Sequence, residues 1–225
     1  MLRWMKSVVA LTLVAVIGVA GVAAQGPGTE VGVGVPGQNA IELVGTIDQL
    51  LFTLTAYGYV THIDGIPDEL LFAEGTNPLM RDAANARLTF HGTGNSVGRA
   101  IHENIFASPV EATLQFYFNE TPVGASFDSP VSFMSGDAIA SLTERLYSVL
   151  NVQEPNIGVL MVEGDTTQDT VAPFTLQGET YTLGHEGLMQ HFTLFGQGFR
   201  SSTDPLTAQF FFAGRGTSLG NAQGM

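Results

Sequence analysis

Hydrophobic and polar residues alternate through most of the chain. Over residues 52–61 (FTLTAYGYVT), Phe52, Leu54, Ala56 and Val60 fall on one side and Thr53, Thr55, Tyr57, Tyr59 and Thr61 on the other. A period of two marks an extended segment with one face buried. The pattern repeats at 87–92, where Leu88 and Phe90 oppose Arg87, Thr89 and His91, and again at 112–118, 191–199 and 206–212. These stretches are rich in Thr, Tyr, Phe and Val, which suit a pleated surface. Further strands are expected at 41–47, 98–106, 157–163 and 179–183, about nine in all. The expected fold is therefore mainly β: a single antiparallel β-barrel of about eight to nine strands, with a two-sheet β-sandwich as the alternative. Strands as long as 50–62 and 108–119 favour the barrel, where strands tilt and closure removes exposed edges.

Residues 137–152 (DAIASLTERLYSVLNV) fit two templates. Ile139, Leu142, Leu146 and Val149 make a helical stripe behind Asp137 as N-cap. Ala140, Leu142, Leu146, Leu150 and Val152 share one face of a long strand, with Glu144 the odd member. The turn-like QEPNIG that follows favours a strand hairpin. Two long connections, about 63–85 and 121–136, interrupt the strands, and the first has room for a helical turn between Pro78 and Asn85. Residues 25–38 read as a Gly/Pro-rich linker, 39–214 as the barrel domain and 215–225 as a flexible tail.

The N-terminus adds a destination. Arg3 and Lys6 precede an apolar run from Val8 to about Ala20 and the small residues Gly21 to Ala24. That is the layout of a signal peptide over 1–24, cut after Ala24, with an uncleaved anchor as the alternative. It places the mature protein outside the cytoplasm, secreted, periplasmic or at the cell surface, with no stable membrane insertion once the leader is gone. The formal charge is −13. Removing Arg3 and Lys6 leaves six arginines and no lysine against 21 acidic side chains, six minus 21 or −15. Such a surface repels phosphate backbones, so nucleic acid is not an expected partner. The chain has no cysteine, and its stability must come from its core.

Chemistry is harder to find. His185 and His191 flank a tract resembling the H-E-x-x-H zinc helix, but six residues separate them where that motif needs four. His62 and Asp64 are two apart in a turn-like segment, short of the ligand set that zinc requires. No catalytic group, metal site or cofactor is expected. The polar strand faces, however, carry few charges. Tyr57, Tyr59, His91, Gln115, Tyr117 and His191 stand on them among threonines, which is how the lumen of a small-ligand barrel would look. The competing reading is that a charge-poor chain covers its outer faces with Thr and Gln, and alternation alone does not say which face points inward.

The leading expectation is a secreted protein holding a small, largely apolar molecule inside the barrel through those six side chains. The alternatives are a structural or adhesive cell-envelope module without a ligand, with oligomerisation open, and a barrel-type isomerase or cyclase. In outline the fold resembles lipocalin-type or allene-oxide-cyclase-like barrels, as architecture only, and no motif residue accompanies the likeness.

Overall fold

A computed structural model describes residues 28–221. The expected signal peptide at 1–24, the start of the expected linker and the last four residues of the expected tail lie outside the described residues. Twelve strands follow in order: β1 (Thr29–Val31), β2 (Asn39–Leu50), β3 (Thr53–Ile63), β4 (Leu88–Ser96), β5 (Ala100–His102) and β6 (Ile105–Phe118); then β7 (Asp137–Glu154), β8 (Ile157–Val171), β9 (Pro173–Leu176), β10 (Glu179–Leu183), β11 (Leu188–Thr203) and β12 (Leu206–Asn221).

Eight of them form a closed antiparallel barrel, β2-β3-β4-β6-β7-β8-β11-β12 and back to β2. One seam pairs Leu88 with Phe118 through Ser96 with Val110, and the other pairs Thr207 with Leu50 through Thr217 with Asn39. Residues 137–152 lie in strand β7, whose partner β8 follows a two-residue turn with Asn156 at φ 69°. Segment 98–106 is not one strand: it divides at Glu103, φ 52°, into β5 and the start of β6.

The inward row is the apolar one. Leu43, Val60, Leu88, Phe90, Leu114, Phe116, Leu142, Leu160, Phe192, Phe210 and Phe212 are buried in one cluster. Where aromatic rings cross the lumen, the facing strands carry glycine. Gly45 and Gly58 are register partners, and a Cβ on either would sit 2.8 or 2.6 Å from the tip of the Phe90 ring.

One barrel end is plugged by a small sheet, β1-β10-β9, with β1 parallel to β10. Its Val31, Phe174, Leu176 and Leu183 join the barrel core alongside Ile63, Leu71, Phe72 and Phe118. Inward polar side chains fasten it: Gln190 Nε2 donates to the Gly32 carbonyl at 2.9 Å and Gln168 Nε2 to the Leu183 carbonyl at 2.6 Å.

Both glycine-rich ends therefore correct the expected boundaries. Val31, inside the expected linker, is 1% exposed, and β12 continues through the expected tail to Asn221. Gly214 and Gly216 make room for neighbours: a Cβ would lie 2.2 Å from Leu194 Cδ2 and 2.9 Å from the Phe192 ring. Glycine there serves packing, not flexibility.

The two long connections fold over the outside of β3 and β4. They contain 3-10 turns at Asp68–Leu71, Pro78–Met80 and Pro130–Met134. Phe133, fully buried, packs with Ala83 and Ala125 on Tyr57 as a second, smaller core. Arg87 ties the connections together, donating from Nε to the Glu120 carbonyl at 2.7 Å and from Nη1 to the Leu70 carbonyl at 2.9 Å.

Candidate functional site

The apolar plug does not fill the barrel. Toward the other end lies a cavity of about 350 Å³, within the size range of small-molecule sites. Its lining ends at the level of Phe90, Leu114, Phe192 and Phe212, and the next inward residues, Leu88, Phe116 and Leu142, belong to solid core. The space arises because several inward positions above that level are small: Ala56, Gly92, Gly94, Ala112, Gly158, Gly198 and Ala208. Leu146, Leu150, Leu160 and Phe210 supply apolar wall. At the far end the lining reaches residues beside the hairpin turns, among them Gln49, Ser96, Arg99, Asn156, Arg200 and Leu206, which form the mouth.

Glu144 is the one acidic side chain in this lining. The pleat places it inward between Leu142 and Leu146, with Ala112 and then Gly94 as successive cross-strand neighbours. Other inward polar groups nearby are satisfied by backbone, Thr166 through the Gln190 carbonyl and Gln168 through that of Leu183. Among the described residues the Glu144 carboxyl forms no hydrogen bond or ion pair. The part of its surface that is accessible faces the cavity, and burial raises its pKa from 4.5 to about 7. At neutral pH such a carboxyl is close to half protonated, so it can donate a hydrogen bond as well as accept one.

The six side chains expected from the sequence lie elsewhere. Tyr57, Tyr59, His91, Gln115, Tyr117 and His191 are absent from the lining, and the expectation that the polar rows face the lumen is corrected by the register. Five of them stand together on the outer face of β3, β4 and β6: Tyr57, His91 and Gln115 form one cross-strand row, and Tyr59, Thr89 and Tyr117 the next. The 121–136 connection shelters part of this patch. Tyr57 packs on Phe133 at 5.4 Å between ring centroids and donates to Asp48 Oδ2 at 2.8 Å. Burial first, and then the Asp48 carboxylate, push its phenol well above the usual range. Burial also raises Tyr59 and Tyr117 and lowers His91. Gln115 Nε2 donates to the Ala140 carbonyl at 2.8 Å.

His191 stands apart on β11, with Nδ1 at 2.7 Å from Asp165 Oδ1. A pocket shared by Glu144, His91 and His191, which would have favoured an isomerase or cyclase, is not formed, because the strand pleat puts the carboxyl inside and both imidazoles outside. His62 Nδ1 meets Asp68 at 2.8 Å rather than Asp64, and His185 bonds Glu30. The first contact holds the 63–85 connection to β3, and the second joins the β10–β11 connection to β1 of the plug.

Sequence reasoning expected a ligand inside the barrel but missed the residues that line the cavity, because it weighed the polar row. The signal lay in the other row, in Gly and Ala at successive inward positions and in the lone Glu144 among apolar residues. Comparison with family models, with curated proteins and with solved structures finds no match to this chain.

Proposed function

We propose that this chain is an exported binding protein that holds a small, largely apolar molecule inside its barrel. The observation that carries the reading is the 350 Å³ cavity walled mainly by apolar side chains and opening at the hairpin end. Closing an empty apolar space of this size would cost the barrel little, since larger residues at Ala112 or Ala208 would fill it. Keeping small residues there maintains room. A ligand-free envelope module needs no such interior, so the cavity favours the binder over that alternative.

Native mass spectrometry of the purified mature protein, sprayed from volatile buffer, tests the reading. The expected result is a bound small molecule, or uptake of added dodecanol at one copy per chain, that is lost in Ala208→Trp, where an indole occupies the cavity. Equal uptake by a variant that keeps its wild-type melting temperature would contradict it.

A further inference from the structure

We propose that the cavity is built for an amphipathic anion whose head rests between Arg99 and Arg200 at the mouth and whose far end carries a hydroxyl or carbonyl facing Glu144. The inference rests on the binding reading above and adds the chemical class of the ligand.

The mouth supplies the first argument. The described residues contain six arginines, and two of them, Arg99 and Arg200, line this one opening. In a chain with 21 acidic residues, both guanidinium groups stand without a carboxylate within 4.0 Å, the three ion pairs of the described residues all being histidine contacts. Acids do occur on neighbouring turns, at Glu103, Glu154 and Asp204, but none of these lines the cavity. Arg200 is oriented by the neighbouring β7–β8 turn, its Nε donating to Asn156 Oδ1 at 2.9 Å. A guanidinium fixed at one nitrogen and lacking an acid keeps its remaining N–H groups for a carboxylate or other planar anion.

The floor supplies the second. Thr166, Gln168 and Gln190, inward polar groups on the plug side of the cavity, each have a backbone partner, whereas the Glu144 carboxyl faces the empty space in front of Ala112 and Gly94 with none. A polar group withdrawn from bulk water and left unpaired is costly, and a ligand oxygen at the cavity's deep end would remove that cost. From Val152 to Glu144 the β7 strand lines the cavity over eight residue-to-residue steps, roughly 20 Å of depth after allowing for strand tilt. That accommodates an extended dodecyl chain.

The test is calorimetric titration of the mature protein with dodecanol, dodecanoate and ω-hydroxydodecanoate. Dodecanoate is expected to bind about tenfold tighter than dodecanol, and the Arg99→Gln/Arg200→Gln double variant to abolish that preference while still binding dodecanol. A further gain of about tenfold is expected for ω-hydroxydodecanoate, lost in Glu144→Leu and kept in Glu144→Gln, which retains a donor and an acceptor. Equal affinity for dodecanol and dodecanoate would overturn the anionic head. An ω-hydroxyl gain of the same size in Glu144→Leu, or no gain in the wild type, would overturn the polar floor. Failure of all three probes to bind would instead sink the binding reading itself.

Discussion

Replacing Glu144 by glutamine keeps the side chain's shape and removes its charge, so the variant isolates the cost of ionising a carboxyl inside the barrel. In the unfolded chain the group titrates near its ordinary value of 4.5, and in the folded barrel near 7. Below pH 4.5 both states hold the proton and the residue contributes no pH dependence. Between 4.5 and 7 the folded state binds more protons than the unfolded one, so wild-type stability falls as the pH rises. Above 7 the full penalty is present, and a shift of this size corresponds to roughly 3 kcal/mol. Glu144→Gln should therefore match wild type at pH 4 and exceed it by up to about 3 kcal/mol at pH 8, or roughly 6–12 °C in melting temperature for a chain of this size. Urea denaturation of both proteins across that range measures the difference directly, and titrations common to both cancel. A stability difference independent of pH, or one that grows toward acid, would refute the placement of this carboxyl in the barrel interior.

Other consequences concern the wall and the outer face. Phe133→Ala removes the ring that seats the 121–136 connection on Tyr57 and should cost about 3–5 kcal/mol with faster proteolysis inside that connection; an unchanged cleavage pattern would contradict its anchoring role. Gly58→Ala would place a Cβ 2.1 Å from the Val44 carbonyl oxygen and 2.6 Å from the Phe90 ring, a loss of at least about 1–3 kcal/mol in chemical denaturation. Tyr57→Phe deletes the hydrogen bond to Asp48 and should lower stability by about 1.5–3 kcal/mol, with dodecanoate affinity unchanged. His91→Ala and Tyr117→Ala should likewise leave that affinity unchanged, since both side chains stand outside the barrel; a tenfold loss in either would return the ligand to the polar row.

Strand existence was legible because period two is a strong signal over segments as long as β6, β7 and β11. The 137–152 stretch, which also carried a helical stripe, resolved as strand because β8, which follows QEPNIG, pairs along one edge and β6 along the other. The inward face was legible only in part. Apolar rings such as Phe90 and Phe212 point in, as hydrophobic burial requires, yet the aromatic-laced polar row looked equally suited to a lumen. The long connections cover part of that row from outside, Phe133 packing on Tyr57 and Arg87, itself in the row, bonding the carbonyls of Glu120 and Leu70, and no local pattern encodes contacts between residues so distant in sequence. The ends were misjudged for a related reason. Glycine in residues 25–38 and 214–221 has the composition of a linker, but each inward glycine of β12 answers a bulky side chain on a neighbouring strand. That requirement becomes visible only once the register is known.

The central claim, that the barrel interior receives a ligand, is tested most directly by soaking crystals of the protein with ω-bromododecanoate and locating the bromine by anomalous scattering. The account predicts a bromine peak inside the barrel beside Glu144, with the carboxylate toward Arg99 and Arg200. Bromine found only on the outer faces, with the interior unchanged, would contradict it.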